Sequence, residues 1–328
     1  MIKMTNFLNS LLGIKDVCVN EIIYDAKVQI KYSHPPNIKY SDIIQNEALN
    51  AIKDILSNGI NFDKKIHISI INSPEDVDNI IGIEELHSKG FARTLEEINA
   101  ANAYLYIPPE HLEDEIDAHY LFFNNAQLKK LNTDIIPGIV IHETYHLEQV
   151  LNGTFKNTTN AIETGVDSKV EDGFLSSFLK KELGNLYGAL AYDIVDLFAD
   201  NRAISSGYGS KILLRDIYGI NKKLKSAKKS NISNMTAFTN LLNVKDIFIQ
   251  PLLYEQKMKD TGNKKLMAEY QKRIKKLKEF MNPIFTEPNI LSKIEEFVPK
   301  TDSSLVSEQT LLNYFKFFHL IEEDFVEL

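Results

Sequence analysis

Five consecutive residues, His142-Glu143-Thr144-Tyr145-His146, can do chemistry together. On a helix, residues four apart lie on one face, so both imidazoles can grip one divalent ion. Glu143 falls about 100° round the helix from His142, on the shoulder of that face. From there it can take a proton from a water that the ion activates, rather than bind the ion itself. The reaction class this implies is hydrolysis, most often of a peptide bond. Only 8 histidines occur in 328 residues, so the spacing is not a by-product of a His-rich composition. The competing expectation is a surface helix with two solvated histidines. The apolar arc of Ile136, Ile139, Val140, Leu147, Val150 and Leu151 argues against it, because His142 and His146 fall at that arc's edge, between core and cleft.

A catalytic zinc site needs a third protein ligand and one open position. No His follows the motif until His319, which points to an acid. Residues 189–203 read as a helix on which Asp193, Asp196 and Asp200 share a face with Ala189 and Ala203. Three acids on an alanine-lined face are costly unless they meet water, cations or a metal. Asp196 ranks first as ligand, then Asp200 and Asp193, then Glu163 or Glu171. Gly165 and the polar run Asn157 to Asn160 weaken a helix around Glu163. Glu171 and Asp172 read as a loop or a helix start.

An HExxH helix followed by Asp196-Leu197-Phe198-Ala199-Asp200 resembles the zincin metallopeptidases, in particular the gluzincin-like branch with its downstream Glu-x-x-Ala-Asp. The resemblance covers roughly residues 135–203. It implies zinc as cofactor, Asp196 as third ligand and Asp200 as the acid that orients a ligating His. Asp in place of Glu departs from the pattern. The shorter arm requires the backbone to approach the metal more closely, which the alanines permit.

A hydrolytic site benefits from a donor to the developing oxyanion. Tyr208, between Gly207 and Gly209 in an expected loop, is the candidate. Arg202 points away from the acid face and reads as a surface or salt-bridge residue. His111 and His119 stand among acids and read as solvated pairs. No phosphate-binding glycine motif is present.

The elements that must position the motif read as α+β, zincin-like: a small N-terminal sheet with helices, then a mostly helical C-terminal half. Strands are expected at Val17–Val19, Ala26–Tyr32, Lys65–Ile71 and Ala103–Ile107, and a helix over Tyr40–Leu56 ending near Asn58-Gly59. Residues 1–12 read as a short amphipathic helix, and Ser73-Pro74-Glu75 opens another. Ala103–Ile107 is the candidate edge strand for binding an extended peptide. Thr133 or Asp134 can cap the HExxH helix, with Asn152-Gly153 as its stop. Gly184 and Gly188 mark kinks or close-packing points in the acid helix. Amphipathic helices are expected over 266–280 and, after Pro283 and Pro288, over 290–297. Three segments are expected: residues 1–130 with the sheet, 131–220 with the metal helices, and 221–328 as a helical region.

Composition bounds the remainder. With 44% hydrophobic and 25% charged residues the chain reads as ordinary globular protein. No run reaches the ~18 apolar residues of a membrane span, and the start lacks a secretory signal pattern. Cys18 is the only cysteine, so no internal disulfide can form. These features lead us to expect a cytoplasmic protein. A net charge of −8 argues against a nucleic-acid partner, and the basic run 222–229 reads as a solvated helix end. The expected function is a zinc-dependent peptidase with a peptide or protein substrate, His142, His146 and Asp196 as ligands and Glu143 as base. The alternative is a non-catalytic zincin-fold metalloprotein that serves as a regulatory or interaction module.

Overall fold

The structure is a computed structural model. It describes residues 17–23, 26–32, 38–60, 64–71, 101–106, 118–170, 176–229, 263–281 and 305–326. The chain divides into two compact units, Met1–Leu151 and Asn152–Leu328. The expected helices over 1–12 and 290–297, and the one that Ser73-Pro74-Glu75 opens, lie outside the described residues.

The first unit is α+β. Strands β1 (Val17–Ile23) and β2 (Ala26–Tyr32) pair antiparallel, followed by helix α1 (Ile38–Ser57) and strand β3 (Lys65–Ile71). Then come β4 (Ala103–Tyr106) and β5 (Ala118–Asn124). The sheet order is β1-β2-β3-β5-β4, with β2, β3 and β5 parallel and β4 antiparallel to β5. Among the described residues β4 is therefore an edge, as expected of the candidate peptide-binding strand. Lys65–Ile71 is a strand, as its alternation of apolar and polar residues predicts. Ile66 to Ile71 are all buried, His67 and Ser69 included, as suits a strand with parallel neighbours on both sides. β5 has no counterpart among the expected strands, because flanking acids masked its apolar run Leu121-Phe122-Phe123.

From β5 the chain enters the short helix α2 (Asn125–Leu128), capped by the Asn124 side chain. A 3-10 turn (Thr133–Ile135) then leads into α3 (Ile136–Leu151), which carries the HExxH motif. Asn132 caps this 3-10 turn, its Oδ1 accepting from the Asp134 N–H at 3.1 Å, and the expected cap residues Thr133 and Asp134 lie within the turn. α3 packs on α1 and beside β4 and β5. Its residues Ile136, Ile139, Val140 and Leu147 join one core with Ile44, Ile52, Ile68 and Phe123. Each such side chain contributes on the order of 1.5–3 kcal/mol by leaving water.

Among its described residues the second unit is helical: α4 (Thr154–Asp167), α5 (Ser176–Ala203), a π-helical turn (Ile204–Tyr208), α6 (Gly209–Lys229), α7 (Lys264–Met281) and α8 (Glu308–Val326). The polar run Asn157 to Asn160 and Gly165, which weaken a helix by propensity, lie within the helix α4. Tertiary packing outweighs its propensity: α4 packs on both α5 and α8. At Gly165 that packing is close. A Cβ there would come within 2.9 Å of the Tyr187 ring, which stacks on Phe315 at 4.3 Å and bonds His319 Nε2 through its hydroxyl at 2.6 Å. Among the described residues nothing lies within 4 Å of a Cβ at Gly184 or Gly188, so neither is a close-packing point there. The expected Gly207-Tyr208-Gly209 loop is instead the end of the π-turn and the start of α6. Gly207 at φ +93 provides the one left-handed residue the kink needs.

These glycines make opposite predictions. Gly165→Val should lower stability by about 1–3 kcal/mol through overpacking. Gly184→Ala should raise it by roughly 0.5–1 kcal/mol through helix propensity. Urea unfolding followed by circular dichroism reads both.

Candidate metal centre

α3 places His142 and His146 one turn apart, each 8% exposed. Their Nε2 atoms approach to 3.3 Å and the rings meet edge to face, 81° apart. Two nitrogens each ~2.0–2.1 Å from one tetrahedral zinc are held about 3.3–3.4 Å apart. The pair therefore stands at the spacing one ion demands. These are not the solvated surface histidines of the competing expectation. Glu143 stays partly exposed while its neighbours Thr144 and Tyr145 are buried. Thr144 satisfies its hydroxyl by donating to the Val140 carbonyl at 2.7 Å.

The three aspartates of α5 have separate surroundings. Asp193 is buried and accepts from the Tyr314 hydroxyl at 3.5 Å. Asp200 is 1% exposed and takes an ion pair from Arg215 of α6 at 2.5 Å. Arg215 also reaches Asp216 at 2.7 Å. Asp196 is partly exposed, and the potential ligand atoms of His142, His146 and Asp196 all lie within 4.8 Å of one another. Among the described residues this is the one group of His, Cys, Asp or Glu close enough to hold a metal ion. The donor set, two imidazoles and one carboxylate, is that of catalytic zinc sites that keep a fourth position open.

The remaining candidates fall elsewhere. Glu163 is exposed on α4. Glu171 and His111 lie outside the described residues. His119 is buried in β5, contrary to the expectation of a solvated pair, because the strand around it is interior to the sheet. Tyr208 is partly exposed in the π-turn with the Lys211 ammonium 5.4 Å over its ring. Arg202 is partly buried at the end of α5.

Sequence reasoning missed Gln149 and Arg215. Gln149 Oε1 sits 2.6 Å from His146 Nδ1, and its signal was the three-residue spacing from His146. Arg215 had no usable signal, because the fifteen-residue separation from Asp200 follows from the kink at Gly207. No family model, curated protein or solved structure matches this chain.

Arg215→Met should cost about 3 kcal/mol, since it strips a cation from a buried carboxylate. Adding Asp200→Asn should recover most of that loss, because the uncompensated charge is then gone. Thermal unfolding of the two variants beside the parent checks it.

Proposed function

We propose that the chain is a zinc-dependent peptidase of zincin type. The observation that carries the reading is the convergence of His142, His146 and Asp196 with Glu143 partly exposed beside them. When bound at these three residues, zinc would supply Lewis acidity toward a water and the scissile carbonyl. Glu143 accepts the proton released as the water oxygen attacks the carbonyl carbon. It then delivers that proton to the amide nitrogen, so that the C–N bond breaks with a neutral amine leaving. One helix carries both imidazoles, and partial exposure of Glu143 lets substrate reach its carboxylate.

The β4 edge supports a peptide substrate. It lies beside α3, and an edge strand offers backbone N–H and C=O groups to an extended chain. Among the described residues no helix is long and apolar enough to cross a membrane.

A second reading rests on the same 3.3 Å contact. One imidazole donating N–H to the other also gives that distance, with no ion involved. Elemental analysis separates the two: one zinc per chain is expected, with most of it lost in His146→Ala. Full occupancy in that variant would refute the ligand assignment.

Glu143→Gln should keep zinc and fold yet lose on the order of 10²–10⁴ in turnover, since Gln cannot accept the proton. Peptide-library cleavage with a chelator control measures this. Zinc binding with no cleavage of any peptide would leave the protein a regulatory or interaction metalloprotein.

A further inference from the structure

On α3, His142, His146 and Gln149 form one stripe, with Gln149 returning to within about 20° of His142 after seven residues. Gln149 is 1% exposed, and its Oε1 lies 2.6 Å from His146 Nδ1. An amide oxygen only accepts, so the hydrogen of this bond belongs to Nδ1. A neutral imidazole carries one hydrogen, and Nε2 of His146 is then bare. That bare nitrogen is the one 3.3 Å from His142 Nε2.

We infer that Gln149 is a positioning residue for the metal centre: it holds His146 in the Nδ1–H tautomer, so that Nε2 is the ligating nitrogen. The inference deepens the metal-site reading and rests on it. A free neutral histidine must choose its tautomer when it binds a metal, whereas Gln149 makes the choice beforehand within one helical turn. Its burial removes water as a competing acceptor and strengthens the bond. The role needs a hydrogen-bond acceptor at this position and not merely a side chain that fills the space.

The test uses the full chain with Gln149→Leu, which keeps the bulk and removes the acceptor, and Gln149→Glu, which keeps the acceptor. In metal-free protein, two-bond ¹H–¹⁵N correlation should find the His146 proton on Nδ1. In Gln149→Leu it should move wholly or partly to Nε2, and in Gln149→Glu it should stay on Nδ1. Zinc affinity by chelator competition should fall roughly 10–100-fold in Gln149→Leu and be retained in Gln149→Glu. Cobalt spectra of the loaded proteins should change in the Leu variant only. Circular dichroism confirms that each variant is folded. A proton on Nε2 of His146 in the parent protein would overturn the inference, as would unchanged zinc affinity in folded Gln149→Leu. If the parent binds no zinc, the metal reading fails by itself, and the tautomer measurement still decides the role of Gln149.

Discussion

Two ring nitrogens 3.3 Å apart on largely buried side chains cannot both present bare lone pairs to one another. Something positive must lie between them, either a proton held by one ring or a cation held by both. The low local dielectric sharpens the choice, because neither nitrogen has much access to water as an alternative partner. Much of what surrounds the pair serves that contact. α3 carries both imidazoles and is fastened along its apolar side to α1 and the sheet. Gln149 bonds the far nitrogen of one ring and leaves the near one facing its partner.

The acid helix shows how one stripe can meet three different surroundings. Asp193, Asp196 and Asp200 are chemically the same and fall on one helical face. Asp193 meets a tyrosine hydroxyl of α8, and Asp200 meets an arginine of α6. Both are buried, and burying a carboxylate is tolerable only with such partners. Asp196 keeps more solvent and falls in the group with the two histidines. The cost of concentrating acids on one face is thus met site by site, and the carboxylate left in the metal group is the one not sunk in the helical core.

The second unit depends on close approach more than on local preference. α4 is made of residues with modest helix propensity and packs on both α5 and α8, and Gly165 lets the Tyr187 ring lie against its backbone. The stacked Tyr187 and Phe315 rings and the hydroxyl bond to His319 then hold α5 to α8. Asn157 and Thr154 reach the backbone of Val306, which ties the approach to α8 onto the start of α4.

The sequence by itself determined whatever depends on periodicity. The four-residue spacing of His142 and His146, the shoulder position of Glu143 and the shared face of the aspartates are consequences of helical geometry, and all are readable before any fold is known. The same holds for the strands at 26–32 and 65–71 and for α1. Only the tertiary structure decided which aspartate joins the histidines, because the three are equivalent on a helical wheel and differ only in what packs against them. It also decided that 154–167 is a helix, that His119 is interior, and that Gly207 turns a π-kink rather than a loop. Each of these depends on contacts between residues far apart in the chain, and local pattern carries no information about such partners.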